Sequence, residues 1–275
     1  MRPLLLHSEA LAALGVPHAF STRIGGYSVG PFSSLNFGNP GDLEPDRRDP
    51  PSNIAANTRL VLDALAASNR EVVQVHQVHG PEVRIVRTGG PTHDPEWNGN
   101  DTKADAIVTD DPTRILAIRI ADCAPVLLST IDGRIVAAVH AGWRGVIAGV
   151  APRAVHAMRS LTSNPTTEVI AAIGPCIGFH AFEVGPEVAA EFTRAFGDAT
   201  PHVRPRETHP GKFLVDLKGA LCEQLNRAGV PIVDLLPHCT ATSTDPATGT
   251  PLFFSHRRDH GLTGRMVGMI GPRPD

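Results

Sequence analysis

Residues 115–140 read ILAIRIADCAPVLLSTIDGRIVAAVH, and this stretch decides the fold. It contains two runs that are dense in branched apolar residues, at 115–120 and 126–131. Such runs are typical of strands that are buried on both faces. The pair Asp132-Gly133 is a tight-turn signal that leads into a third strand at 135–140. The stretch therefore predicts two fully buried strands and a third strand that follows a tight turn.

Outward from this stretch, predicted helices and strands alternate. Further strands are predicted at residues 72–78, 83–87, 169–173, 232–236, 252–255 and 266–270. Helices are predicted from Ser52, as the N-cap, to about Ala67, from about Val146 to Leu161, from Pro186 to Gly197 and from Asp216 to Gly229. In the second of these helices, Pro152 should cause a kink or reset the start. Polar loops are expected at 39–52, 89–103 and 200–211, none of them a long linker, so we expect one α/β domain over residues 1–275.

The composition excludes several classes of protein. The chain has 275 residues, with 25 Lys and Arg against 28 Asp and Glu, a formal net charge of −3. This balance lacks the basic face that nucleic-acid binding needs. No apolar run approaches the roughly 18–20 residues of a membrane span, and the N-terminus lacks a signal-peptide layout, so we expect a cytoplasmic protein. The sparse cysteines, at 123, 176, 222 and 239, form no CxxC pair and fit free thiols in a reducing compartment.

Three segments place a metal-ligating residue at a predicted strand end beside turn residues. They are residues 77–80 with His79, 121–125 with Cys123, and 139–145 with His140. Zn²⁺ binds imidazole nitrogen and thiolate sulfur, and three protein ligands leave a fourth position open, as in catalytic sites. The segments are far apart in sequence, so two simpler interpretations stay open. A buried strand cysteine is usually a small core residue, and a strand histidine is usually a satisfied polar group.

His76 competes with His79 for the role of ligand, because the two lie only three residues apart, in and next to the strand predicted at 72–78. Residues an odd number apart on a strand face opposite sides, so the two side chains should not point into one site. The pattern does not choose between them.

Other segments carry weaker signals. Residues 23–28 form a Gly-rich loop with Arg23, which suits a phosphate but is also typical of a plain turn. Residues 255–259 end a predicted strand with two arginines, as an anion contact or a salt-bridged edge would. Asp122, next to Cys123, could orient a ligand, act as an acid or base, or cap a turn.

Six motifs follow one another along the chain in a fixed order. They are residues 20–31 with 34–36, then 77–80, 121–125, 140–145, 173–177, and 253–258 with 263–265. Together they make the chain similar, from Phe20 to Ile270, to the laccase-domain proteins, also called the multicopper polyphenol oxidase or peptidoglycan editing factor family.

The resemblance implies a single α/β domain with layered, mixed β-sheets flanked by helices. It also implies a zinc-dependent purine nucleoside phosphorylase that deaminates adenosine and cleaves methylthioadenosine. The ligand set implied is His79, Cys123 and His140, with His79 preferred over His76 because the family histidine precedes the glycine.

We therefore expect inosine, adenosine or methylthioadenosine to react with phosphate and to give free base and sugar 1-phosphate. Arg144 is expected to act with the three metal ligands in catalysis. Substrate contacts are expected from Arg23, Asn36, Gln77 and Arg258, with Arg23, Arg144 and Arg258 as the anion contacts. The expected partners are purine nucleosides and phosphate, and the chain is expected to be a monomer or a weak homodimer.

Two other functions remain. Cys with two His also suits copper, so a copper-dependent phenol oxidase is an alternative. A multicopper centre, however, needs several short histidine clusters, and the chain contains no HxH pair. The other alternative is a non-catalytic editing factor in cell-wall precursor metabolism with structural zinc, which would normally have a fourth ligand.

Overall fold

A computed structural model describes residues 2–89, 102–162, 164 and 166–274. Most of the loop expected at 89–103 lies outside these residues. Within them are six α-helices: α1 (Glu9–Ala13), α2 (Pro51–Ala64), α3 (Trp143–Ile147), α4 (Val150–Ser160), α5 (Pro186–Phe196) and α6 (Leu217–Arg227). The described strands are β1 (Leu5–Leu6), β2 (His18–Ser21), β3 (Glu71–Val73), β4 (Val83–Val86), β5 (Ala106–Thr109), β6 (Arg114–Ile120), β7 (Ala124–Thr130), β8 (Val136–Ala141), β9 (Val169–Ile173), β10 (Glu183–Val184), β11 (Val203–Pro205), β12 (Phe213–Val215), β13 (Ile232–Leu235) and β14 (Met266–Ile270).

The described strands form two large mixed sheets and one small antiparallel sheet. The five-stranded sheet has the order β1-β2-β14-β6-β3, with β3 parallel to β6 and the other pairs antiparallel. The six-stranded sheet has the order β13-β9-β7-β8-β5-β4, with parallel pairs at its two edges. The small sheet is β10-β12-β11. The expected α/β class with mixed sheets is confirmed.

The two large sheets pack face to face, and helices cover their outer faces. Alternate residues of a strand point to opposite sides. On β6, Leu116 and Ile118 pack between the sheets, whereas Ile115 and Ala117 pack with residues of α2. On β7, Leu127 points into the layer between the sheets. Because both faces of these strands are covered, their apolar runs are continuous, as the sequence predicted.

Helices α3 to α6 cover the other face of the six-stranded sheet. Val126 and Leu128 of β7 pack there against Val150 and Val155 of α4. The predicted helices from Pro186 and from Asp216 are confirmed, and the Asp216 carboxylate accepts a hydrogen bond from the Gly219 amide as an N-cap.

Two predicted helices have different boundaries. Helix α2 has Pro50 as its N-cap and Pro51 as its first residue, so Ser52 lies inside the helix and does not cap it. Proline suits the first helical position because its missing N–H has no partner there in any case. The helix expected from Val146 to Leu161 is divided into α3 and α4 at Gly149, whose φ is +74°. Pro152 then falls in the first turn of α4, so the start of the helix is reset.

The strand predicted at 72–78 is wrong beyond Val73, where β3 ends. The side chain of Gln77 takes over the pairing with β6: its amide donates to the Arg119 carbonyl at 2.7 Å and accepts from the Arg119 amide at 2.8 Å. His76 and His79 therefore do not lie on a strand, and strand geometry does not place their side chains on opposite sides.

The strand predicted at 252–255 is also absent. Phe253 and Phe254 are fully buried against Ile120 and Met266, which explains the apolar pattern. Their backbone pairs with scattered partners, including a 3.0 Å contact from the Phe254 amide to the Met266 sulfur. Among the described residues, no helix has both the length and the apolar character needed to cross a membrane.

Candidate metal centre and active-site cavity

Three donor side chains from separate parts of the chain meet at one point. His79 lies between β3 and β4, Cys123 lies between β6 and β7, and His140 lies in β8. The first two therefore sit where the chain passes from the five-stranded sheet to the six-stranded sheet. The ligand atoms of the three lie within 4.8 Å of one another. The structure thus brings together the three predicted ligands.

The pairing of β7 with β8 determines where Cys123 lies relative to His140. Pro125 pairs with His140, and Ala124 pairs with Ala141, so Cys123 reaches the turn at Gly142. A Cβ atom at Gly142 would lie 2.8 Å from Cδ2 of His79 and 3.0 Å from the Cys123 sulfur. Only glycine therefore fits between the donors at this position.

Asp105 holds both histidines, and sequence reasoning missed it. Its carboxylate accepts hydrogen bonds from Nδ1 of His140 at 2.7 Å and from the backbone amides of Val78, His79 and Gly80 at 3.1, 2.9 and 2.7 Å. The bond to Nδ1 leaves Nε2 of His140 to face the other donors, as in many metal sites. No local spacing marks Asp105, because its partners are distant in sequence.

Cys123 and His140 stabilise each other's charged forms. Burial acts to raise the pKa of the Cys123 thiol, but the charge and hydrogen bond of His140, with help from His79, lower it to about 6. Burial acts to lower the pKa of His140, but the Cys123 thiolate and the Asp105 carboxylate raise it to about 9. The thiolate is the form of cysteine that binds metals.

Asp122 positions the loop that carries Cys123. Its φ is +86°, and its carboxylate accepts hydrogen bonds from the Thr240 hydroxyl at 2.6 Å and from the Arg257 amide at 2.7 Å. Its carbonyl accepts from the Ile177 amide at 2.9 Å. Of the roles considered for Asp122, these contacts favour orientation of a ligand.

The three donors open into a cavity of about 560 Å³, within the range of small-molecule sites. The predicted residue Gln77 lines it, although both ends of its amide are bound to the Arg119 backbone. His76 lines it as well, but it does not belong to the donor cluster.

The other predicted site residues are not among those that line this cavity. The Arg144 guanidinium lies 4.3 Å from the centre of the Trp143 ring. The Arg23 guanidinium lies 4.6 Å from the centre of the Phe254 ring. Arg258 is bound to Asp259 and to two backbone carbonyls. Asn36 is fully buried, and its side-chain oxygen accepts from the amide of Arg265 at 2.8 Å.

The cations that do line the cavity are Arg119, Arg257 and Arg265. Arg119 is a charged residue within the apolar run of β6, and a charge at such a position signals a functional or paired role. Arg265 belongs to the last of the six ordered motifs. Both signals are visible in the sequence alone.

The donor set fits a metal ion. One thiolate and two imidazoles are ligands that zinc and copper accept, and three of them leave a position open toward the cavity. Within the described residues, no second group of three such donors is close enough to hold a metal.

The fold and the site define a layered α/β protein with a three-donor centre in a cavity. Residues 17–273 match the model of a family described as multi-copper polyphenol oxidoreductase laccase, and the chain belongs to that family. The resemblance of the ordered motifs is thereby confirmed.

Relatives match nearly the whole chain. A purine nucleoside phosphorylase of Deinococcus radiodurans is 38% identical, over 94% of this chain and 90% of its own length. Purine nucleoside phosphorylase YlmD of Geobacillus stearothermophilus is 35% identical, over 95% of this chain and 92% of its own length. The crystal structure of YlmD has a TM-score of 0.82 and covers 100% of this chain and 97% of that chain, at 31% identity. The crystal structure of YfiH from Bacillus licheniformis has a TM-score of 0.78 and covers 98% of this chain and 96% of that chain, at 29% identity.

Proposed function

We propose that the protein is a zinc-dependent purine nucleoside phosphorylase that also deaminates adenosine. The observation that carries this proposal is the group of three donors, His79, Cys123 and His140, at the base of an open cavity. Relatives that match the chain almost end to end carry the name purine nucleoside phosphorylase, which supports the same reaction.

His79, Cys123 and His140 would hold the metal. Zinc would supply Lewis acidity toward the reacting atoms at its open position. The chain itself contributes the orientation of the donors: Asp105 fixes the ring of His140 and the backbone around His79, and Asp122 fixes the loop of Cys123.

In phosphorolysis, an oxygen of phosphate forms a bond to the anomeric carbon of the sugar, and the bond from that carbon to the purine nitrogen breaks. The electron pair of the broken bond goes to the base, which leaves after taking up a proton. Ile177 and Phe182 line the cavity and offer apolar and aromatic surface for the base. Arginines in the same cavity offer charge for the phosphate.

In deamination, a water oxygen adds to the ring carbon that carries the amine, and the amine leaves as ammonia. Adenosine is thereby converted to inosine, and phosphate takes no part. The two reactions need the same base pocket but differ in their nucleophile, so both fit one cavity.

The test is metal analysis together with an inosine phosphorolysis assay. Wild-type protein should contain about one zinc per chain and release hypoxanthine only when phosphate is present. Cys123→Ala should lose both zinc and turnover. Cys222→Ala is the matched control, because this thiol lies on α6 outside the cavity and should leave both unchanged.

A wild-type protein without bound transition metal would contradict the zinc assignment. Copper-dependent oxidation of phenols, with no turnover of nucleosides, would replace the proposal with the oxidase alternative. A preparation that holds zinc, turns over no nucleoside and oxidises no phenol would favour the editing factor.

A further inference from the structure

Two arginines line the cavity next to each other, one on strand β6 and one at the residue before strand β14. Arg119 lies on β6, where it pairs with Val267 of β14, and Arg265 directly precedes β14. Gly38 packs against both: a Cβ atom there would lie 3.3 Å from Nη1 of Arg119 and 3.5 Å from Cγ of Arg265. Two positive charges thus share one wall of the cavity that contains the donor cluster.

Neither charge is neutralised within the described part of the chain. No carboxylate there lies within 4.0 Å of either guanidinium, whereas Arg114 and Arg258 both have such partners. Burial lowers the pKa of Arg119, and burial together with the charge of Arg119 lowers that of Arg265. The Cys123 thiolate and the carboxylates of Asp122 and Asp42 attract Arg265, and none of them forms an ion pair with it. Holding two like charges together in a partly desolvated place is unfavourable unless an anion joins them.

Protein groups bind the backbone of both arginines and one nitrogen of the Arg265 guanidinium, and the other guanidinium N–H donors have no acceptor among the described residues. Gln77 binds the backbone of Arg119 on both its N–H and C=O, and Asn36 accepts from the backbone amide of Arg265. Nη1 of Arg265 donates to the carbonyls of Thr263 and Gly264. Among the described residues, Nε and Nη2 of Arg265 and the whole guanidinium of Arg119 have no protein acceptor within hydrogen-bond distance.

We propose that Arg119 and Arg265 form the binding subsite for a phosphate dianion. The role of that phosphate as co-substrate rests on the proposed function. Guanidinium groups match the geometry of phosphate oxygens with paired N–H donors, and two of them match its two negative charges. The same pair could hold inorganic phosphate or the 5′-phosphate of a nucleotide, and inorganic phosphate is the occupant that phosphorolysis requires.

This subsite replaces the anion contacts expected from the sequence. Arg23, Arg144 and Arg258 stack on aromatic rings or bind protein acceptors, and none of them lines the cavity. Asn36 and Gln77 then act through the two arginines, as positioning residues.

The test is calorimetric titration of zinc-loaded protein with inorganic phosphate, in the absence of nucleoside. Arg119→Ala and Arg265→Ala should each weaken phosphate binding at least about tenfold, because each removes charge-assisted hydrogen bonds. Arg119→Lys keeps the charge but not the paired donors, so it should bind phosphate more tightly than Arg119→Ala and less tightly than wild type. Arg59→Ala removes a charge from the exposed face of α2 and should bind as wild type does.

Phosphate binding that is equal in wild type and both alanine variants would overturn the proposal. Binding of adenosine 5′-monophosphate through the two arginines, with no binding of inorganic phosphate, would also overturn it. A zinc content and a melting temperature equal to those of wild type would show that the variants keep the fold and the metal centre. If wild type binds phosphate through the two arginines but does not cleave inosine, the subsite stands and the proposed function fails.

Discussion

At the scale of single residues, Asp105 orients the donors of the site although it is not among the residues that line the cavity. It is fully buried and receives one imidazole N–H and three backbone N–H groups. Partners of this kind orient metal-binding histidines, and their loss typically weakens metal binding about 10–100-fold.

Asp105→Asn should therefore weaken zinc binding by roughly 10–100-fold, because the amide nitrogen would face N–H donors where an oxygen is needed. Competition with a chromophoric chelator measures this affinity. Asp110→Asn is the matched control, since Asp110 binds Thr88 and Arg87 outside the cavity and should leave affinity unchanged. Equal zinc affinity in the two variants would rule out the orienting role of Asp105.

The two neighbouring histidines allow a second test at this scale. His76→Ala should keep nearly full zinc content and His79→Ala should lose it, because only His79 belongs to the group of donors within 4.8 Å. Elemental analysis of both proteins decides between them. Similar losses of zinc in the two variants would show that His76 also takes part in the centre.

At the scale of elements, the sequence predicted what depends on local pattern. The strands β6, β7, β8 and β9 lie where they were predicted, α5 begins at the predicted Pro186, and the predicted Asp216 is the N-cap of α6. The errors came from tertiary contacts. The side chain of Gln77, instead of a strand backbone, makes the hydrogen bonds to the backbone of β6. Phe253 and Phe254 are buried without joining a sheet.

In the site, too, features set by local sequence pattern could be predicted and features set by tertiary contacts could not. Its three donors stand next to glycines or turn residues and could be recognised as candidates, and the family resemblance favoured His79 over His76. Asp105 could not be recognised, because its partners come together only in the fold. The anion contacts were expected at Arg23, Arg144 and Arg258 from neighbouring residues, but two of the three arginines of the cavity, Arg119 and Arg265, are placed by the pairing of β6 with β14.

The break between α3 and α4 gives a prediction for an element. Gly149 has a φ of +74° and open space around its Cα, so Gly149→Ala should cost only backbone strain, about 1–2 kcal/mol of unfolding free energy. Gly41→Ala is the control, since Gly41 has similar open space without a positive φ. Urea unfolding compares the two, and a Gly149→Ala protein as stable as Gly41→Ala would show that the break needs no glycine.

At the scale of the whole molecule, a metal at this centre would join loops that belong to both large sheets. A ligand that binds only the folded state stabilises it, by about 2.7 kcal/mol when its free concentration is 100 times Kd. Zinc should therefore raise the melting temperature and a chelator should lower it. Cys222→Ala should keep this response and Cys123→Ala should lose it, and a zinc response that survives in Cys123→Ala would place the stabilising metal elsewhere.

The passage of the chain between sheets at His79 and Cys123 has a consequence for how the protein matures. Neither sheet alone carries the three donors, and an unfolded chain rarely holds a preformed metal site. A copy whose sheets have docked out of register would leave the donors apart and would take up no zinc. Zinc uptake would then act as a quality check on assembly, and the zinc content of a fresh preparation would count its correctly assembled molecules.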